Sequence, residues 1–321
     1  VSFTLLAATL CACAQESGPV SGGDGDLFLP PFDLVFDAVA SGEGEASREL
    51  FIMRLDGSGL RRLTDNGSRD ANPSISPDGG LLAFERTVID TLGLPSREIF
   101  CLDLHTGREK RLTRDASDDR DPRWFPDGRH LVFSSDRAGG GVFLVDTSST
   151  IPTQLLADAI DPVVSPDGTR IAFVRSWNDA GVIKLAVHEA DTLGGPARRI
   201  TDGGSNTTPD PSGLLGDKNP DYLPGGLTLV FDRLIDPFGP AGDADWNLFA
   251  IGTNGSGERP LTSRPYVEIF PRVSPQGDEV VFTALSSAFG LRIGLVDDQG
   301  ASLFFLETGA LLPSRASWNR P

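Results

Sequence analysis

The 321-residue chain is poor in the residues that build covalent or metal-bound sites, with three cysteines and three histidines, and its 28 basic side chains are outnumbered by 45 acidic ones for a net charge of -17. Each shortage excludes a class. A phosphate backbone needs a basic face, so a pI near 4.5 argues against nucleic-acid binding. Cys11 and Cys13 lie in an apolar N-terminal run, which leaves Cys101, inside the strand-like IFCLDL, as a buried inert thiol without an intrachain disulfide partner. His105, His130 and His188 fall at unrelated positions of different repeats, which speaks against a shared metal. There is no H-E-x-x-H motif and no G-x-S-x-G elbow. No long stretch has amphipathic helical spacing, so helix should be scarce.

What is present is a repeat. NPSISPDGGLLAF (72 to 84) returns as DPRWFPDGRHLVF (121 to 133), DPVVSPDGTRIAF (161 to 173), NPDYLPGGLTLVF (219 to 231) and FPRVSPQGDEVVF (270 to 282). Each copy has proline second, a P-x-G turn, and a phenylalanine five residues beyond the turn glycine. Proline presets φ for a type I turn and glycine takes the left-handed position that closes a hairpin with a bulge. The run after the turn is apolar without a polar alternate, as in a strand covered on both faces. A third and a fourth strand follow each hairpin, for example REIFCLDL (97 to 104) and EKRLT (109 to 113). Four strands at a period of roughly 40 to 58 residues predict the blades of a propeller.

The ends of the chain complete the count. DLVFDAVA (33 to 40), ELFIMRLD (49 to 56) and LRRLT (60 to 64) supply second, third and fourth strands without a first, while RASWNRP at the far end supplies a strand whose Trp318 echoes Trp124. Five whole repeats and one split repeat predict an all-β, six-bladed ring over residues 31 to 321, closed so that no sheet edge is left exposed.

VSFTLLAATLCAC is too short to span a bilayer and sits where the apolar core of a secretory signal would. Its end, Leu10 to Cys13, resembles the lipobox of bacterial lipoproteins, which implies a lipidated Cys13. An ordinary signal peptide is the alternative. Residues 14 to 30 read as a flexible linker.

The stretch LTRDASDDRDPRWFPDGRHLVFSSDRAGGGVFLVD (112 to 146) resembles the repeat of the TolB-like propeller family. The resemblance implies a six-bladed propeller outside the cytoplasm that recognises a protein. TolB itself carries an α/β domain before its propeller, where this chain has only a short linker, so a TolB-like lipoprotein is expected and not TolB proper.

The candidate site follows from the repeat. The residues flanking the repeat prolines include Asn72, Asp121, Arg123, Asp161, Asn219, Asp221 and Arg272. With the first strand of each blade innermost, as the resemblance implies, these ring one mouth of the central channel. Their carboxylates would hold a cation, calcium at Asp121 and Asp161, or the basic end of a peptide. The plain alternative is that Asp and Asn only initiate a turn before proline. Two long connections, 202 to 218 and 236 to 245, are either binding elements or disordered. Asn66, Asn206 and Asn254 begin N-x-S/T triplets and read as turn residues. The expected protein is a monomeric, non-enzymatic binding module anchored to the cell envelope, with a carbohydrate-processing or hydrolytic enzyme as the alternative.

Overall fold

The computed structural model describes residues 29–89, 93–239 and 244–319. The apolar run with Cys13 and the linker as far as residue 28 lie outside the described residues, as do residues 240–243 of the second long connection. Apart from two three-residue 3-10 segments, Glu45–Ser47 and Arg137–Gly139, the described chain is strand, turn and coil.

Every expected hairpin forms. In the first, β4 (Asp70–Ile75) turns into β5 (Leu81–Ile89), and the Gly79 N–H donates to the Ser76 carbonyl at 2.9 Å. The same bond closes the turns at Gly128, Gly168, Gly226 and Gly277. All five glycines have φ between 65 and 80°, a region where a Cβ is strained.

The strands assemble into four-stranded antiparallel units. β4 and β5 continue into β6 (Pro95–Asp103) and β7 (Glu109–Arg111). The second unit is β8 (Asp119–Trp124), β9 (His130–Ser135), β10 (Gly141–Asp146) and β11 (Thr153–Ala157). The third is β12 (Ile160–Val164), β13 (Arg170–Asp179), β14 (Val182–Asp191) and β15 (Arg198–Arg199). The strands β16 (Asp217–Tyr222), β17 (Thr228–Asp236), β18 (Asp245–Gly252) and β19 (Arg259–Pro260) share an eight-stranded sheet with β20 (Val267–Val273), β21 (Glu279–Ser286), β22 (Gly290–Asp297) and β23 (Leu303–Leu306). Its two halves are joined by one parallel bridge between Trp246 and Val267.

The remaining sheet is the split repeat. β24 (Leu311–Trp318) pairs with β1 (Leu34–Ala40), which is followed by β2 (Glu49–Met53) and β3 (Arg61–Arg62). β24 starts upstream of the expected fragment because its pairing runs the full length of β1, from Leu34 opposite Trp318 to Ala40 opposite Leu311. The first strands touch in the order β4, β8, β12, β16, β20 and β24, and β24 returns to β4.

The core lies between and within these units. The repeat phenylalanines Phe84, Phe133, Phe173, Phe231 and Phe282, with Phe36 of β1, are among the largest fully buried side chains. Truncating any of them to alanine should cost about 3–5 kcal/mol. Five face an aromatic ring across the hairpin, such as Phe84 on Phe100 at 5.9 Å and Phe173 on His188 at 5.8 Å. Phe282 faces Gly294, where an added Cβ would lie 2.3 Å from its ring. Cys101 is buried beside this core, and burial pushes its thiol up to about 12, as an inert role requires.

Candidate functional site at the axis

The residue before each repeat proline has an unusual backbone. Asn72, Asp121, Asp161, Asn219 and Phe270 have φ between 49 and 60°, a left-handed conformation that Asn and Asp tolerate better than other residues with a Cβ. The strand register slips at each of these positions, for example between Arg120 and Arg123 and between Lys218 and Asp221. They are β-bulges within the first strand. The reading of turn initiation before proline is therefore corrected: the turn lies further on, and Asn and Asp recur because the bulge needs them.

Three of the five bulges are held by the preceding unit. Asp37 Oδ1 accepts the Asn72 N–H at 3.3 Å, Ser134 Oγ accepts the Asp161 N–H at 3.0 Å, and Asp232 Oδ2 accepts the Phe270 N–H at 2.9 Å. All three acceptors directly follow a repeat phenylalanine, so one register sets both the core and the axis. Burial pushes Asp232 up to about 6, against the opposing pull of Lys218 and the Phe270 N–H.

The sequence-predicted residues do come together. Asp121, Arg123, Asp161, Asn219 and Arg272, with Pro162 and Pro220, form a constriction with no room for water. Asp221 packs beside it. Its carboxylate accepts the Val273 N–H at 2.8 Å, and burial pushes it up to about 6 while that N–H and Arg123 pull the other way. Burial lowers Arg123, opposed by Asp221 and Asp161.

Next to the constriction a funnel of about 270 Å³ opens, lined by Arg69, Asn72, Glu85, Arg97, Arg120, Asp121, Ser134, Ile160, Asp161, Lys218, Phe270, Ser314 and Arg315. Five cations meet three carboxylates here, in a chain whose overall charge is -17. The expected carboxylate rim for a cation is thus corrected to a predominantly basic funnel. Arg315 from β24 pairs with Asp121 and lies 3.9 Å over the ring of Phe270. Burial pulls Arg315 down to about 10, while the carboxylates of Glu85 and Asp37 favour its charge, and it remains a cation at neutral pH. A guanidinium therefore stands beside Asp121 where calcium was expected. Among the described residues no three His, Cys, Asp or Glu side chains gather as a metal site.

Arg69, Arg97, Arg120, Lys218 and Arg315 were not among the sequence candidates. Two signals point to three of them. Arg120 and Lys218 each precede a bulge residue, and Arg315 stands three residues before Trp318 as Asp121 stands three before Trp124. That second register is physical, because both indoles donate to the residue after a repeat proline in the preceding unit, Trp124 to Ser74 and Trp318 to Arg272, each at 2.8 Å.

The funnel opens at the end of the units where second strands pass to third strands and fourth strands pass to first. The register of β4 with β5, Asp70 opposite Arg86, puts the start of the first strand at that end. The first long connection and the described ends of the second therefore emerge around the funnel. The first, 202 to 218, is ordered by its own bonds. Asn206 Nδ2 donates to the carbonyls of Leu234 and Ile235 at 2.8 and 2.7 Å, and Gly216 bridges to Leu185. Between it and Val182–Leu185 lies a second cavity, of about 350 Å³, lined mainly by apolar groups including Ile183, Pro209, Leu214 and Leu215. Asn66 and Asn254 bond within their own turns, as expected.

Residues 85–215 match the model of the TolB beta propeller domain. Over that stretch the chain is similar to the TolB-type β-propeller. The structure of TolB from Acinetobacter baumannii superposes with a TM-score of 0.69 at 18% identity, covering 91% of this chain and 68% of that one. A putative TolB from Agrobacterium tumefaciens gives 0.62 at 17% identity, covering 90% and 99%. At such identities the likeness shows the fold alone. By sequence, an uncharacterized peptidase of Bacillus subtilis, YuxL, is 30% identical over 132 residues, which is 40% of this chain and 17% of that protein. The TolB-type propeller here thus spans a small part of that relative, and the fold leaves the activity to be argued from the site.

Proposed function

We propose that this propeller is a non-enzymatic extracytoplasmic binding module that recognises a protein or peptide at the funnel face. Its four-stranded units close into a six-bladed ring, with the halves of the eight-stranded sheet as two blades and β24 completing the split one. The cyclic contacts among the first strands support that closure. The lipobox-like segment ending in Cys13 supports a lipid anchor at the cell envelope.

One observation carries the recognition reading. The polar funnel, the apolar cavity against Ile183, the first long connection and the described ends of the second share one face of the ring, so a partner could place a chain end at the axis and apolar side chains at the rim. Exposed apolar residues on that face, Leu94, Ile183 and Phe238, are 61 to 64% accessible and add contact area. The funnel carboxylate Asp121 is engaged by Arg315, which suits recognition better than acid–base chemistry.

Photo-cross-linking in the native envelope tests this. A benzophenone side chain at Leu94 or Ile183 should give adducts with a distinct protein. The same group at Ile151 or Leu227, at the opposite end of the strands, should not. Equal labelling from both faces, or none, would remove the recognition reading.

A further inference from the structure

We infer that the funnel takes the C-terminal residue of a peptide, its carboxylate held by Arg120 and Lys218 and its amide N–H by Asp161. This rests on the recognition reading above and fixes the polarity of what is recognised.

The funnel's other cations already have counterions. Arg69 pairs with Glu85 at 2.9 Å, Arg97 with Asp118 at 2.6 Å, and Arg315 with Asp121. Arg120 and Lys218 make no ion pair among the described residues, and Arg120 Nε is buried without an acceptor. Half-buried cations left without an anion carry a desolvation cost, and a bound carboxylate would offset it with charge-assisted hydrogen bonds. Both residues stand at the same repeat position, just before the bulge, in the two blades flanking the one that carries Asp161.

Asp161 adds the second requirement. Its Oδ2 is buried with no donor. The ligand must therefore present an N–H or O–H close to its carboxylate. A peptide C-terminus has both on one residue. Ile160 and Phe270 on the funnel wall can receive its side chain. A space of about 270 Å³ falls just below the usual range for drug-sized ligands, which suits the last residue or two of a chain and excludes a folded element.

The test uses a degenerate library of N-acetylated tetrapeptides with free C-termini and the same library amidated, passed over immobilised protein and read by mass spectrometry. Free acids should be retained about ten-fold over amides, with retention falling as salt is raised. The Arg120→Gln, Lys218→Gln double variant should lose that preference while its melting temperature stays within a few degrees of the wild type, because neither cation makes an ion pair among the described residues and only their longer-range pull on Asp118 and Asp232 is lost. The salt dependence of the wild type gives a second measurement that needs no variant. Equal retention of acids and amides overturns the C-terminal assignment and leaves the recognition reading standing. Retention of neither library overturns both. A uronic-acid disaccharide that binds where no peptide does would reassign the funnel to acidic sugars and overturn the peptide assignment.

Discussion

The indole N–H of Trp318 donates to the carbonyl of Arg272 at 2.8 Å, so the last strand is held by β20 as well as by its pairing with β1. Ser317 reaches the other way, accepting the Ile75 N–H at 3.3 Å. β24 therefore bonds to blades on both sides, and Ala316 and Trp318 are buried in a cluster with Leu34, Phe36 and Leu295. Deleting residues 314 to 321 should expose the edge of β1 and lower the melting temperature by well over 10 °C, since several buried apolar groups are lost at about 1.5–3 kcal/mol each. Trp318→Phe, which keeps the ring and removes the N–H, should cost only about 1 kcal/mol. A truncated protein that melts like the wild type would mean β24 does not close the ring.

Arg86 lies over the rings of Phe84 and Phe100 and bonds the buried Asp70 at 2.6 Å. Arg233 repeats the arrangement on Phe231 and Phe249 with Asp217. Arg86→Met should cost about 3–5 kcal/mol because it leaves Asp70 buried and unpaired. Adding Asp70→Leu should recover most of the loss. Chemical denaturation of the two single variants and the double variant checks this, and additive losses would contradict it.

In the β20–β23 blade the arginine is missing. Ala284 stands two residues after Phe282, where Arg86 and Arg233 stand in their repeats, and Glu268 is left fully buried, its burial only partly opposed by the Thr262 and Tyr266 hydroxyls and by Arg264. Burial pushes Glu268 up to about 7, and Asp119, Asp221 and Asp232 to about 6. A carboxyl with a raised folded pKa holds its proton more tightly when folded. Its contribution is therefore complete below the unfolded pKa and is lost as pH rises through the folded value. Turn aspartates such as Asp78 and Asp167, lowered chiefly by the Ser76 and Ser165 hydroxyls, act oppositely and lose their contribution as pH falls below the usual carboxylate range. The melting temperature should peak near about pH 5. Glu268→Gln should add roughly 2 kcal/mol at pH 8 and little at pH 4. An equal gain at both would show that ionisation is not the cause.

The fold was legible in the sequence because its signals are local. Pro77 to Gly79 and its four copies specify a hairpin by φ alone, and Phe84 to Phe282 mark the core at a fixed distance from each turn. The ring of axial residues was legible too, since it follows from repeat register. Its electrostatic sign was not. Asp121 and Asp161 stand out in the repeat, whereas Arg69 and Arg97 reach the funnel from outside it, and Arg315 is followed by Ala316 where the repeats have proline, in a strand with no hairpin of its own. The charge of a cavity depends on side chains from many segments, and a single repeat position shows only one of them.

Arg315 carries the last prediction. It answers Asp121 and covers Phe270, the one bulge residue that is neither Asn nor Asp and so pays most for φ of 60°. With Asp121 paired, millimolar calcium or its chelation should leave the wild-type melting temperature unchanged. Arg315→Gln removes the guanidinium from beside Asp121 and leaves Asp161 nearby with its Oδ2 still free, two carboxylates in one funnel. That variant should melt lower, by about 3 kcal/mol, and should be partly restored by calcium, because a cation then meets the repulsion that Arg315 relieved. Asp121→Asn in the same background should abolish the calcium response and recover stability. If calcium raises the wild-type melting temperature instead, the carboxylates hold a metal despite Arg315, and the anionic ligand assigned to the funnel would have to share it.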